Sequence, residues 1–251
     1  MIRHGRGLSA AAAALLSVVV AAGCSPVPEI GEATTEEVYA LGTAAAERGD
    51  HLFAIEAMNR VLSRSPLHEL ADDALLWLAR SHQAMGEYAL AEEEYSRLPT
   101  DYPSSPLAPE AAYRLGLTYY DQSLPAALDQ TMTERAIAQF GLFETEHPDS
   151  PLVADAREKA AELRSRLAEK AYRGGELYLV LKNGASARVY FDAVARDYPD
   201  TPWAPRALLV LARSAAADGL PEEASAARAR LTELYPDSEE ARAAALETSG
   251  P

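Results

Sequence analysis

The sequence predicts an all-α protein that is built from a series of similar helical hairpins. A short phrase with a central proline recurs along the chain, and the segments between its copies place apolar residues at helical spacing. Alanine, the best helix former, is abundant in those segments. Because proline lacks an amide hydrogen and clashes with the preceding turn, each phrase marks the end of a helix. These observations predict a superhelical solenoid, in which every hairpin buries its apolar face against its neighbours.

The recurring phrase sets the length of the repeat. Its clear copies are "DYPSSP" at 101–106, "EHPDSP" at 146–151, "DYPDTP" at 197–202 and "LYPDSE" at 234–239, and a weaker copy is "SRSP" at 63–66. The equivalent prolines, spaced by 37, 45, 51 and 37 residues, are Pro66, Pro103, Pro148, Pro199 and Pro236. A tetratricopeptide repeat is a helix–turn–helix unit of about 34 residues that ends near a proline. The spacing therefore predicts about five tetratricopeptide repeats.

Small and large residues fall where tetratricopeptide packing needs them. The template has a small residue at position 8 in the first helix, and a small residue at 20 and a large apolar residue at 24 in the second. Small residues let the two helices approach closely, and the large residue fills the gap between successive hairpins. Counted back from the prolines, these positions hold Gly42, Ala54 and Met58; Ala79, Ala91 and Tyr95; Gly116, Ala136 and Phe140; Gly175, Ala187 and Phe191; and Ala212, Ala224 and Arg228.

Two segments depart from the regular repeat. Between Gly116 and Ala136 the chain is longer than the template, which predicts an inserted turn at about 122–133. An additional helical stretch at 152–167 precedes the fourth repeat. The segment "ELYLVLKNG" at 176–184 has the composition of a strand before an Asn-Gly turn. The repeat register instead makes it the end of a helix, which is the interpretation we prefer.

The N-terminus predicts export and a lipid anchor. Residues 1–7 carry two arginines and no acid, and residues 8–22 carry no charge. A basic start followed by a short apolar run is typical of a secretory signal peptide. Small residues directly precede Cys24, the only cysteine of the chain, as they do in a bacterial lipobox. Cys24 is therefore the predicted lipidation site, and an ordinary signal peptide with a cysteine there by chance is the alternative.

Composition and motifs argue against nucleic-acid binding and catalysis. The formal net charge of −15 at pH 7 disfavours nucleic acid and anionic membrane surfaces, so membrane attachment is expected through the lipid. The five histidines show no metal-ligand spacing, and the carboxylates of "EEEY" at 92–95 fit a solvated helix face. No nucleotide-binding loop, serine-nucleophile motif or zinc-protease motif is present. The sequence predicts a binding scaffold without enzymatic activity, cofactor or metal, and leaves open only a carboxylate pair of the glycosidase type.

The arrangement resembles the BamD family, the lipoproteins of the outer-membrane β-barrel assembly machinery. The resemblance rests on the lipobox, the five repeats, the insertion in the third and the long helical stretch before the fourth. It is most specific in "DQTMTERAIAQFGLFETEHPDSPLVADAREKAAELRSRLAE" at 129–169 and "ARDYPDTPWAPRAL" at 195–208. It implies a lipid-anchored protein on the periplasmic face of the outer membrane that binds unfolded outer-membrane proteins and helps their folding and insertion. The implied partners are the barrel-insertion subunit BamA and other subunits of the machinery.

The main alternative is a periplasmic tetratricopeptide protein that coordinates cell-wall synthesis with envelope constriction. The repeats of such proteins resemble "YPSSPLAPEAAYRLGLTYY" at 102–120. They usually lack a lipobox and carry an N-terminal coiled coil, whereas the linker "SPVPEIGEATTEEVY" at 25–39 has no heptads. The lipobox and the linker therefore favour the BamD family.

The resemblance divides the chain into segments with different roles. The three N-terminal repeats are expected to bind the client, and the two C-terminal repeats are expected to dock on the barrel-insertion subunit. The predicted segments are the lipoprotein signal peptide at 1–23, the lipidated flexible linker at 24–34, repeats one to three at 35–151, repeats four and five at 152–245 and a disordered tail at 246–251.

Inner-face positions of the first helix in repeats one to three supply the candidate peptide-binding residues. Tyrosine offers apolar area and one hydrogen bond, and arginine can bind a carboxylate or a carbonyl oxygen. The alternative is that several of these side chains merely cap the neighbouring hairpin. The candidates are Tyr39, Leu76, Arg80, Gln83, Tyr113 and Tyr120.

The candidate docking residues are Arg188, Tyr190 and Arg196. The BamD family commonly has arginine directly before the large residue at position 24 of the fourth repeat, where this chain has Tyr190. The contact is therefore expected to depend less on one ion pair and more on packing by Tyr190. In the alternative interpretation, the cations pair with nearby acids such as Asp192 and Asp197, a contribution of only a few tenths of a kcal/mol each.

Overall fold

The computed structural model describes residues 32–248. Within this range the chain forms eleven α-helices and no β-strand, so the all-α prediction is confirmed there. The predicted signal peptide, Cys24, most of the linker and the end of the predicted tail lie outside the described residues. The helices are α1 (Thr35–Glu47), α2 (His51–Arg64), α3 (Ala71–Ala84), α4 (Tyr88–Asp101), α5 (Ala108–Asp121), α6 (Thr131–Glu146), α7 (Val153–Val180), α8 (Gly184–Asp197), α9 (Trp203–Ala217), α10 (Pro221–Leu234) and α11 (Glu239–Thr248).

The first ten described helices pair as five hairpins, one for each predicted repeat. The second helix of each hairpin ends two residues before the predicted proline, as α2 ends at Arg64 before Pro66. After the last hairpin, α11 packs against α9 and α10. This helix includes residues 246–248, which the sequence assigned to the tail. Burial of Ala241 and Ala244 against the last hairpin accounts for the additional helix.

Small residues hold the two helices of each hairpin together, as the repeat register predicts. The alanines at position 20 are all buried, with at most 1% of their surface exposed. Where position 8 is glycine, the large residue at position 24 fills the space of the missing side chain. A Cβ atom on Gly42 would lie 2.6 Å from Cε of Met58, and one on Gly175 would lie 2.8 Å from the ring of Phe191. The fifth repeat differs, because its position 24 holds the half-buried Arg228.

The additional helical stretch and the first helix of the fourth repeat form one continuous helix, α7, of 28 residues. Residues 176–180 are its last turn, so the strand alternative for this segment is wrong. The first half of α7 packs with α5 and α6 through Ala156 and Leu163. The second half packs with α8 and α9 through Ala168 and Tyr172. One helix therefore belongs to two successive hairpins.

The inserted turn spans 122–130, between α5 and α6, close to its predicted position. The side-chain amide of Gln130 holds it together by donating to several backbone carbonyls, among them that of Pro125 at 2.9 Å. Arg166 of α7 donates to the hydroxyl of Ser123 at 2.7 Å. The insertion is therefore an ordered element that is fastened to α7.

The turn between α7 and α8 places a lysine where other hairpins use glycine. The residue after the helix C-cap has a left-handed backbone at Gly49, Gly86 and Gly219, with φ of 83°, 75° and 72°. The equivalent residue of the fourth hairpin is Lys182, with φ of 58°. A side chain in this conformation costs roughly 1–2 kcal/mol, because its Cβ crowds the following carbonyl oxygen.

Replacing Lys182 with glycine is expected to stabilise the protein by about 0.5–1 kcal/mol. Relief of the left-handed strain exceeds the additional backbone entropy that glycine loses on folding. Urea denaturation gives the free energy of unfolding. Lys182→Ala is the matched control, because it removes the same charge and keeps the strain, so it should change the free energy little. Equal stabilisation by both variants would assign the effect to the charge and contradict this prediction.

Candidate functional site

The odd-numbered helices form the inner face of the stack. Besides the contacts between helices that are neighbours along the chain, α1 contacts α3, α5 contacts α7, α7 contacts α9 and α9 contacts α11. In a curved stack of hairpins, the helices on the inner side lie closer together than those on the outer side. The inner face is also where the sequence placed the peptide-binding residues.

Polar contacts on this face link successive odd-numbered helices, and we term them the inner ladder. Arg80 of α3 forms an ion pair with Glu110 of α5. One turn further along, Gln83 of α3 donates to a carboxylate oxygen of Asp121 on α5 at 2.8 Å. Two of the predicted peptide-binding residues therefore already bind the next inner helix.

The inner ladder continues from α5 to α7 through two tyrosines. The hydroxyl of Tyr113 donates to Asp155, and that of Tyr120 donates to Glu162 at 2.6 Å. The hydrogen bond to Glu162 raises the pKa of Tyr120, and burial raises the pKa of Tyr113. Both tyrosines therefore stay protonated and act as donors. These contacts agree with the alternative interpretation, in which the predicted residues cap the neighbouring hairpin.

An aromatic cluster occupies the N-terminal end of the inner face. It consists of Tyr39 on α1 with Trp77 and Arg80 on α3. Burial, followed by the charge of Asp73, raises the pKa of Tyr39, and the side chain of Trp77 opposes this shift. The guanidinium carbon of Arg80 lies 4.9 Å from the ring centroid of Trp77. All three side chains keep part of their surface exposed. Trp77 was not predicted from the sequence as part of this surface, although it is one of only two tryptophans.

Leu76 does not belong to this surface, and its assignment as a peptide-binding residue is corrected. It is 3% exposed and packs in the core. Because α3 contacts α1, α2 and α4, seven other residues of the helix are buried as well. Only a narrow strip of α3 remains exposed, and Trp77 and Arg80 lie on it.

The predicted docking cations lie on α8, in the fourth hairpin, and both are paired within the chain. Arg188 forms an ion pair with Asp218, and its Nε atom lies 3.3 Å from a carboxylate oxygen of Glu223. Nε of Arg196 lies 2.9 Å from a carboxylate oxygen of Asp197. The Arg196 pair agrees with the alternative interpretation, in which the cations bind nearby acids such as Asp197, whereas the acids that bind Arg188 lie in the fifth hairpin.

Tyr190 is the predicted docking residue with the most freedom to make an apolar contact. Its side chain is 39% exposed. Its ring lies 5.2 Å from the ring of Tyr178, near the end of α7, and it occupies the space beside Gly174. Tyr190 is therefore held in place on one side and open to solvent on the other.

A groove lies between α8 and α10, beside the predicted docking cations. Its apolar lining includes Ala193, Leu211 and Ala227. Charged groups bridge it, since Nη1 of Arg230 lies 2.7 Å from a carboxylate oxygen of Asp192. The rim charges pair with one another, so the groove offers its apolar floor rather than a free charge.

A buried polar cluster lies inside the second hairpin. Nδ1 of His82 lies 2.6 Å from a carboxylate oxygen of Glu87, and Nε2 lies 3.4 Å from one of Glu94. Glu94 is 8% exposed, and burial raises the pKa of its carboxyl to about 8. Within residues 32–248, no group of three His, Cys, Asp or Glu side chains could hold a metal ion. The cluster therefore ties α3 to α4 as a structural contact.

The hairpin stack and its inner face define a tetratricopeptide-repeat protein. None of the helices in residues 32–248 combines the length and the apolar character that a membrane span requires. The family described as YfiO, outer membrane lipoprotein, matches residues 31–231. The chain belongs to this family, and the resemblance to the BamD family that the sequence predicted is confirmed.

Named relatives match most of the helical stack. The chain is 30% identical over 230 residues to the outer membrane protein assembly factor BamD of Caulobacter vibrioides, covering 89% of this chain and 74% of that one. It is 25% identical over 205 residues to the BamD of Vibrio cholerae, covering 77% and 85%. Among solved structures, the chain is similar to a thermophilic tetratricopeptide protein of Thermus thermophilus at 21% identity and a TM-score of 0.38. The match covers 85% of this chain and 100% of the Thermus protein.

Proposed function

We propose that this chain is an assembly factor for outer-membrane β-barrel proteins. The observation that carries the proposal is membership of the outer membrane lipoprotein family over residues 31–231, with relatives that are named BamD. The lipobox that ends at Cys24 supports attachment to the periplasmic face of the outer membrane by a lipid. The family match favours this function over the cell-wall alternative.

The inner face supports binding of an extended segment of an unfolded barrel protein. The aromatic cluster of Tyr39, Trp77 and Arg80 supplies two partly exposed rings and a guanidinium group. The rings can cover apolar side chains of the client, whereas the guanidinium of Arg80 already pairs with Glu110 and would have to exchange that partner to bind a client carboxylate. The inner ladder holds α3, α5 and α7 together, so the face is formed before the client arrives. Preorganisation of this kind lowers the entropic cost of binding.

Repeats four and five support docking on a BamA-type barrel-insertion subunit, as the BamD family implies. Arg188 and Arg196 are paired internally, so an additional ion pair with a partner would have to compete with existing ones. Tyr190 needs no such exchange, because 39% of its side chain is already exposed. Packing by Tyr190 therefore contributes more to the proposed contact than either cation.

Photocrosslinking tests the proposed client site. A photoreactive residue at Tyr39 or Trp77 should form adducts with a urea-denatured barrel protein that is diluted into the full-length chain. Glu56, an exposed residue of α2, is the matched control on the other helix layer and should give few adducts. Trp77→Ala should reduce the adducts from Tyr39 several-fold, since Trp77 forms part of the same cluster. Equal labelling from Glu56 and the inner positions, or labelling from Glu56 alone, would contradict the assignment.

A further inference from the structure

Two arginines share one carboxylate oxygen of the inner ladder. Oε1 of Glu110, in the first turn of α5, accepts from Arg80 of α3 and, at 2.7 Å, from Nε of Arg114, one turn further along α5. Burial raises the pKa of Glu110, but the hydrogen bonds from Arg114 and Arg80 outweigh burial, lower the pKa overall and keep the carboxyl ionised. Glu110 therefore occupies the guanidinium group that the aromatic cluster would offer to a client.

The contact between Glu110 and Arg80 is a single hydrogen bond. Nε of Arg80 is buried and has no hydrogen-bond partner in residues 32–248, so Glu110 does not bind this guanidinium in the bidentate way that makes such pairs strong. The two side chains are 26% and 30% exposed, and ion pairs that are open to water contribute little to stability. Asp73 acts on Arg80 through its charge alone. Another carboxylate can therefore displace Glu110 at low cost.

Release of Arg80 from Glu110 would leave neither side chain without a contact. Glu110 would keep its hydrogen bond to Arg114 on the same helix. Arg80 would keep its place over Trp77, since that contact, 4.9 Å from the guanidinium carbon to the ring centroid, does not involve Glu110. A partly buried charge that loses its last partner is costly to the folded state. The second arginine avoids this cost, so the ion pair can change partners.

We propose that Glu110 blocks Arg80 until a carboxylate of an extended client segment displaces it, and that Arg114 then retains the displaced Glu110. The inference rests on the proposed function, because the displacing group is taken to belong to an unfolded barrel protein on the inner face. The carboxylate is either the chain terminus or an acidic side chain, since both present the same two oxygens to a guanidinium. Because Trp77 adjoins Arg80, the exchange favours segments that combine a carboxylate with apolar side chains.

Binding of synthetic strand peptides to the full-length chain in detergent tests the exchange. The probe is a dye-labelled peptide of about 10 alternating apolar and polar residues without acidic side chains, made with a free and with an amidated C-terminus. A third peptide is amidated and carries one internal glutamate. Fluorescence anisotropy gives Kd for each peptide. We expect at least one of the two carboxylate-bearing peptides to bind more tightly than the amidated peptide without glutamate, and Arg80→Ala should abolish the difference.

Glu110→Gln and Arg114→Gln should change the affinity in opposite directions. Glu110→Gln frees Arg80, and we expect it to lower Kd for the preferred carboxylate peptide about two- to fivefold, the range of one partly exposed ion pair. Arg114→Gln leaves Arg80 as the only ion-pair partner of Glu110, so it should raise that Kd. Glu92→Gln is the matched control and should change nothing, because Glu92 pairs with Arg135 between the same two hairpins on the other helix layer. A loss of fold would weaken binding of the amidated peptide as well.

The outcomes separate the inference from the proposed function. If the wild-type chain binds all three peptides equally and Glu110→Gln changes nothing, the exchange is wrong and client binding stands. If Glu110→Gln and Arg114→Gln both weaken binding, Glu110 supports the site instead of blocking it, and the inference is overturned. If no peptide binds and the photocrosslinks from Tyr39 and Trp77 are absent, client binding at this face fails and the inference fails with it. A gain from Glu110→Gln with one carboxylate peptide supports the exchange and identifies which carboxylate is bound.

Discussion

Replacing Gly116 with alanine is expected to destabilise the protein by about 1–3 kcal/mol, the usual cost of overpacking a core. A Cβ atom on Gly116 would lie 2.6 and 2.7 Å from two carbons of the Phe140 ring. That ring cannot move aside easily, because it is 1% exposed and packs against Tyr113, 6.0 Å away between centroids. The free energy of unfolding from urea denaturation, with circular dichroism as the probe, measures the effect.

Gly141 provides the matched control for this prediction. It directly follows Phe140 on α6, is exposed and has open space where a Cβ atom would lie. Gly141→Ala is therefore expected to stabilise the protein by about 0.5–1 kcal/mol through helix propensity alone. Because the two substitutions are chemically identical, their opposite signs isolate the effect of packing. A gain in stability from Gly116→Ala would show that the hairpin has room at this position and would contradict the packing described for repeat three.

Replacing Glu94 with glutamine is expected to remove part of the pH dependence of stability. Burial raises the pKa of the Glu94 carboxyl from an ordinary value of 4.5 to about 8, and the charge of Arg97 only partly opposes this shift. The folded chain therefore keeps a proton that the unfolded chain releases at lower pH. Because folding takes up a proton in this range, the contribution of Glu94 to stability is highest below pH 4.5 and falls as the pH rises to about 8.

The comparison at two pH values gives the expected size of the effect. At pH 8.5 Glu94→Gln should be more stable than the wild type by about 1–3 kcal/mol, the typical cost of a buried polar atom without a hydrogen-bond partner such as Oε2 of Glu94, and at pH 5 the two should be similar. Glu93→Gln is the control, since Glu93 is the exposed neighbour on the same helix. Parallel pH–stability curves for wild type and Glu94→Gln would show that the carboxyl titrates normally in the folded chain.

The repeat register could be predicted from the sequence because it depends on local patterns. Pro103 and Pro199 mark helix ends by their covalent geometry, and the residues at positions 8, 20 and 24 must be small or large for steric reasons. The same register correctly assigned residues 176–180 to a helix, against a local composition that favours a strand. The sequence also predicted the two helical segments that make up α7. It did not predict that they join into one continuous helix.

The candidate site could be predicted only in part, because the partners of its side chains lie in other hairpins. Arg80 binds an acid 30 residues away and Tyr120 binds one 42 residues away. Residue patterns within one hairpin do not reveal which side chains of the next hairpin face them. The burial of Leu76 was missed for the same reason, since it depends on how α1, α2 and α4 together cover α3.

The continuity of α7 has a mechanical consequence for the protein. A helix of 28 residues is about 42 Å long, and its hydrogen-bonded backbone bends far less readily than a loop. Tyr113 and Tyr120 donate hydrogen bonds to its first half, while α8 packs along its second half. The helix therefore connects the third and fourth hairpins rigidly, whereas a loop at this junction would allow them to rotate relative to each other. A displacement of the first three hairpins would therefore turn the last two hairpins with it, so the two halves would move as one rigid unit.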